Sequence, residues 1–124
     1  MSMGNSARAK VVIADDNTAA LALMRCFVQS LGFSVIAVSD GGAALRAIED
    51  HSPAFALLDI SLPILTGVEV ARSVREKPEL ASVRMIACTG HGDRELEDEC
   101  GRAGFERYLV KPIDFGVLEG LLRG

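Results

Sequence analysis

Short apolar runs recur along this chain, each closed by turn residues and followed by a stretch where apolar positions return every three or four residues. KVVIA (10–14), FSVIAV (33–38), AFALL (54–58), VRMIAC (83–88) and FERYLV (105–110) have the length of strands. Several are nearly continuous in apolar character, which is the pattern of parallel strands covered on both faces. The second and fifth carry more polar residues and are expected nearer the sheet edges.

Helical periodicity fills the intervals. In 17–32, Leu21, Met24, Val28 and Leu31 share one face, with Gly32 placed to end the helix in a left-handed turn. Ala44, Leu45 and Ile48 form the apolar stripe of 40–51, and Val70, Ala71 and Val74 that of 66–77, which stops before Pro78. The segment 92–104 is weakly apolar, with Leu96 and Cys100 one turn apart, and 114–124 carries Phe115, Leu118, Leu121 and Leu122. Strict alternation of strand and helix predicts right-handed crossovers and a doubly wound α/β fold with a five-stranded parallel sheet. There is no internal repeat, low-complexity segment or linker. The chain reads as one domain over 9–124, preceded by a small polar leader, 1–8, expected to be disordered.

Composition narrows the possible partners. With 124 residues, 49% of them hydrophobic, the chain is large and apolar enough to bury a core unaided. Its net charge of −4 argues against direct nucleic-acid binding, which relies on Lys and Arg at phosphates. Cys26, Cys88 and Cys100 are too scattered for a disulfide framework and read as reduced thiols. No apolar run reaches the length of a membrane span, and the first ten residues lack a signal-peptide core, so a cytoplasmic location is expected.

Ligands of such a sheet sit outside the carboxyl ends of the strands. Asp15 and Asp16 follow the first run, Asp59 the third, Thr89 and Gly90 the fourth, and Lys111 with Pro112 the fifth. Ser39 and Asp40, after the second, read as a helix cap. Three acids, a hydroxyl and an amine thus converge on one edge. Crowded carboxylates need a cation to stay ionised together, and hard oxygen donors suit Mg²⁺. A metal cup beside a free carboxylate, a lysine and a hydroxyl is equipped for phosphoryl transfer.

The set ADD (14–16), LLDISLP (57–63), CTG (88–90) and YLVKP (108–112) resembles the receiver domain of two-component response regulators, the CheY-like family. Asp16, Asp59, Thr89 and Lys111 are separated in turn by 43, 30 and 22 residues, and the likeness runs over about 9–123. It implies a flavodoxin-like (βα)5 fold with strand order 2-1-3-4-5. It also implies that Asp59 accepts phosphate from the phosphohistidine of a sensor histidine kinase or a histidine phosphotransfer protein. Asp15, Asp16, the Asp59 side chain and the Ser61 carbonyl would arrange Mg²⁺; Thr89 and Lys111 would contact the phosphoryl group; Thr89 and Tyr108 would form the switch. A cis Lys111–Pro112 bond, an output face on the fourth helix, fifth strand and fifth helix, and a homodimer on phosphorylation belong to the same expectation. The domain would be no enzyme beyond assisting its own phosphorylation and dephosphorylation. DISLPILTG (59–67) departs from the commonest family pattern, with Leu62 and Leu65 where methionine is frequent and Thr66 where an acid or amide is frequent. Ser61 and His91 stand where the family tunes phosphate loss.

Each feature also has a plainer meaning. Alone, Asp15 and Asp16 are a turn and helix cap, Asp59 a turn residue before Pro63, and Lys111-Pro112 a common surface dipeptide. Cys88 and His91 have a C-x-x-H spacing, but two ligands make no zinc site. Cys26 and Cys100 read as small hydrophobes on helices. Two rival functions remain: a flavodoxin-like cofactor module, disfavoured by carboxylates in its first loop, and a phosphatase with an aspartyl nucleophile, disfavoured by adjacent acids where D-x-D is wanted.

Overall fold

The computed structural model describes residues 8–124, so the leader expected over 1–8 lies, apart from an exposed Arg8, outside the described residues. Strands β1 (Lys10–Ala14), β2 (Ser34–Val38), β3 (Phe55–Asp59), β4 (Arg84–Thr89) and β5 (Arg107–Val110) alternate with helices α1 (Thr18–Ser30), α2 (Gly41–His51), α3 (Gly67–Arg75), α4 (Arg94–Ala103) and α5 (Phe115–Arg123). All strand pairs are parallel and the order is β2-β1-β3-β4-β5, with β2 and β5 at the edges as their polarity foretold. This is the doubly wound, flavodoxin-like arrangement.

The pleat sends alternate residues to opposite faces. Val12, Ala14, Ala56, Leu58, Met85 and Ala87 meet the apolar stripes of α2, α3 and α4, including Ile48, Val70 and Val74. Val11, Ile13, Phe55, Leu57 and Ile86 meet α1 and α5 through Val28, Leu118 and Leu122. The anticipated stripe residues Leu21, Met24, Leu31 and Leu121 pack half-buried against that second cluster. Of the two cysteines read as small hydrophobes on helices, Cys100 is buried, whereas Cys26 is exposed on α1.

Each of α1 to α5 begins with a side-chain cap, and each of these caps lies at the carboxyl end of the sheet. Asn17, Asp40, Thr66, Asp93 and Asp114 accept from the amides of Ala20, Ala43, Glu69, Leu96 and Val117 at 2.7–3.1 Å. Thr66 and Glu69 close a reciprocal capping box, Glu69 Oε1 accepting from Thr66 N at 2.9 Å. Because Asn17 caps α1, the acids before it are spared that task.

Boundaries differ from expectation where backbone caps intrude. Strand β5 begins at Arg107 rather than Phe105, because Phe105 N donates to Cys100 O at 3.1 Å and Gly104, at φ 110°, closes α4 in the left-handed region. Helix α3 stops at Arg75, and Pro78 opens a 3₁₀ turn over Pro78–Leu80 that periodicity did not reveal. Gly32, at φ 101°, follows α1 as anticipated.

Candidate functional site

From β1 the chain crosses to β2 on one side, and from β3 to β4 on the other. The connections diverge and leave a crevice beyond the carboxyl ends of β1 and β3, where such sheets bind ligands. Asp15 follows β1 and Asp59 ends β3, so these two carboxylates flank the crevice. Both residues are buried, at 7% and 6% exposure, while Asp16 is exposed.

Each buried carboxylate is held at both oxygens. Asp15 Oδ1 accepts from Asn17 N and Asp59 Oδ1 from Ser61 N, both at 2.9 Å. Their Oδ2 atoms accept from one ammonium, Lys111 Nζ, at 2.9 Å from Asp15 and 2.7 Å from Asp59. One ammonium thus bridges the two buried carboxylates. Burial alone would lower the Lys111 pKa, but hydrogen bonds and charge from Asp59 and Asp15 outweigh it, and the pKa lies above the ordinary value. The peptide bond between Lys111 and Pro112 is cis, as expected.

Asp15, Asp16 and Asp59 each offer an oxygen within 4.8 Å of the others. Three carboxylates this close, all hard donors, fit a small divalent cation such as Mg²⁺. At Ser61, the atom seen engaged is the amide nitrogen, on Asp59; the expected use of its carbonyl is not part of any contact observed among the described residues.

Thr89 ends β4, pairs with Val110 on β5, and is 1% exposed. Its Oγ1 accepts from His91 N at 3.1 Å, and its carbonyl accepts from Lys111 N at 2.7 Å. Its hydroxyl hydrogen is left to donate. Tyr108, half-buried on β5, donates its hydroxyl to His91 O at 2.5 Å. Residue 91 thus joins Thr89 to Tyr108 through its own backbone. Sequence reasoning treated His91 as a side chain near the site and missed this link, for which a main-chain contact leaves no sequence signal.

The β3–α3 loop is shaped by close approaches. A Cβ on Gly67 would lie 2.5 Å from Asp59 O, and one on Gly41 would lie 1.9 Å from Leu65 O, so both positions require glycine. Cys88 is buried, and burial pushes its thiol up to about 12, with Asp59 and Asp15 adding to the rise against Lys111, so it stays protonated near neutral pH. Cys100, likewise raised by burial first and then by Glu99 and Glu97, stands at about 11.

Comparison with known proteins agrees with this geometry. A family model described as the response regulator receiver domain matches residues 11–123. The polar-differentiation response regulator DivK of Brucella anthropi is 32% identical over 103 residues, covering 83% of this chain and 84% of the relative. Among solved structures, the receiver domain of a sensor histidine kinase from Pseudomonas aeruginosa PAO1 superimposes with a TM-score of 0.86 at 29% identity, covering 94% of this chain and 96% of that one. That crystal structure holds a magnesium ion coordinated in the active site cleft. A CheY-like receiver domain protein from Methanospirillum hungatei JF-1 aligns with a TM-score of 0.85 at 26% identity, over 94% and 92% of the two chains.

Proposed function

This chain belongs to the response regulator receiver domain family of two-component signalling, and on that footing we propose that it is a phosphorylation-controlled switch whose acceptor is Asp59. The observation that carries the reading is the setting of the Asp59 carboxylate. It ends β3 in a buried crevice, steadied by Ser61 N and Lys111 Nζ, with two further carboxylates in reach.

Asp59 attacks the phosphorus of a phosphohistidine on a sensor kinase or phosphotransfer protein. The new bond joins an Asp59 oxygen to phosphorus; the phosphorus–nitrogen bond breaks, and its electron pair returns to the donor imidazole. Lys111 brings a full positive charge to the phosphoryl oxygens, and the Thr89 hydroxyl donates to one of them. Asp15, Asp16 and Asp59, with the Ser61 carbonyl, would hold Mg²⁺, which would supply positive charge to offset that of the incoming phosphoryl group. When Thr89 turns to the phosphoryl group, the tether through His91 to Tyr108 reports the change to the rim of β5, and phosphate shifts a balance between two conformers. A tenfold shift needs about 1.4 kcal/mol of differential stabilisation. The face formed by α4, β5 and α5 is the surface this shift remodels for a downstream protein.

The test is labelling with acetyl phosphate or beryllofluoride, with and without Mg²⁺, on the native chain and on Asp59→Asn. Metal-dependent modification of the native chain alone is expected. Equal modification of the Asn variant removes Asp59 from the role.

A further inference from the structure

Ile64, in the loop between β3 and α3, has no part in the chemistry above. It is a β-branched residue at φ 74°, at the centre of a turn closed by Leu65 N donating to Pro63 O at 2.9 Å. That is a γ-turn of the positive-φ kind, rare and strained, where a β-branched side chain is a genuine outlier. The surroundings impose it. Pro63 O also accepts from Gly41 N at 3.0 Å, so the start of α2 is docked on the turn. Yet the side chain gains little inside the fold, for Ile64 is 78% exposed, more than any other large apolar residue described.

We propose that Ile64 is a specificity-determining contact for the protein that delivers phosphate to Asp59, its side chain acting as an apolar knob received by the donor's surface. The inference rests on the phosphoacceptor reading above. Strain kept at a functional rim without internal packing in return points to a use outside the fold. Distance supports the same conclusion. The Asp59 side chain is only 8% exposed, so a protein-borne phosphohistidine reaches it only with the donor pressed against the surrounding loops. Ser61 N lies 2.9 Å from Asp59 Oδ1, and three residues of chain span at most about 11 Å, which keeps the backbone amide of Ile64 within about 14 Å of the carboxylate. A small interface of about 600–800 Å² per partner, drawn as a disc, has a radius of about 14–16 Å. A protein donor centred on Asp59 therefore covers Ile64, whereas acetyl phosphate enters only the crevice.

The experiment compares two phosphate sources on the native chain, Ile64→Gly, Ile64→Asn and Ile64→Leu. One source is acetyl phosphate. The other is the fastest donor to the native chain in a panel of purified, phosphorylated histidine kinases and phosphotransfer domains. Gly and Asn, which accept positive φ, are expected to slow transfer from the protein donor about tenfold and leave acetyl phosphate labelling within about twofold. The same two variants melt a few degrees higher, because the strain is relieved. Leu restores most of the protein-donor rate. Equal slowing with both sources, no slowing with either, or a native chain that takes phosphate from acetyl phosphate but from no protein donor overturns the proposal. A native chain labelled by neither source overturns instead the assignment of Asp59.

Discussion

Lys111 shows how one side chain answers a problem posed by two others. Asp15 and Asp59 are buried within reach of each other, and the ammonium bridges them at 2.9 and 2.7 Å. Lys111→Met removes the bridging charge, and a cost of about 1–3 kcal/mol is expected, between the values for exposed and fully buried pairs. The pH dependence has a definite sign. Because the folded-state pKa of Lys111 is raised, its contribution is complete below the ordinary value of 10.5 and disappears as pH rises through the higher folded value. Thermal melts of native and Met variant should therefore differ by a constant amount from pH 6 to 9 and converge in more alkaline buffer. The partnership of Lys111 with the acids was legible in sequence, since each follows a recognisable strand. Ile64 was not: nothing about an isoleucine announces positive φ, and only the Gly41 amide and the crowding on Leu65 O reveal why the turn is forced.

Elements place these residues through loops that tolerate little change. Gly41 at the head of α2 abuts the β3–α3 loop so closely that Gly41→Ala must push Leu65 away, since a Cβ there would lie 1.9 Å from its carbonyl oxygen. Overpacking of this kind costs about 1–3 kcal/mol. The displaced loop also carries Ser61, so urea denaturation should show reduced stability and acetyl phosphate labelling of the variant should be slower. Strand and helix identities were readable because period-2 and period-3.6 patterns alternate cleanly along this chain. Their ends were less so. The start of β5 was blurred by Phe105, an apolar residue that belongs to the cap of α4 and not to the ladder. The capping box of Thr66 and Glu69 was written in the sequence, although Thr66 stood out there only as a departure from a family pattern. Helix α4, which buries just Cys100 and Ala103, is held from outside by Arg72 pairing with Glu99 at 3.6 Å and by Arg75 reaching Gly104 O.

Across the whole molecule, the reversal of strand order between β1 and β3 concentrates negative charge at one end of the sheet. A cation bound there joins the folded state and not the unfolded chain, so it stabilises the fold by mass action, about 2.7 kcal/mol at a hundredfold excess over its dissociation constant. Magnesium is expected to raise the melting temperature of the native chain. Asp16→Asn should keep the metal-free melting temperature nearly unchanged, because Asp16 is exposed, but lose most of the magnesium-induced rise; a full rise in the variant would remove Asp16 from the metal site. Among the described residues no helix is long and apolar enough to cross a membrane. The tether from Thr89 to Tyr108 has a last consequence at this scale. It runs through an amide hydrogen and a carbonyl oxygen that nearly every amino acid at position 91 would supply. Exchanging the imidazole for another side chain consequently leaves both hydrogen bonds available, so residue 91 can be altered to suit other ends without cutting the connection between crevice and rim.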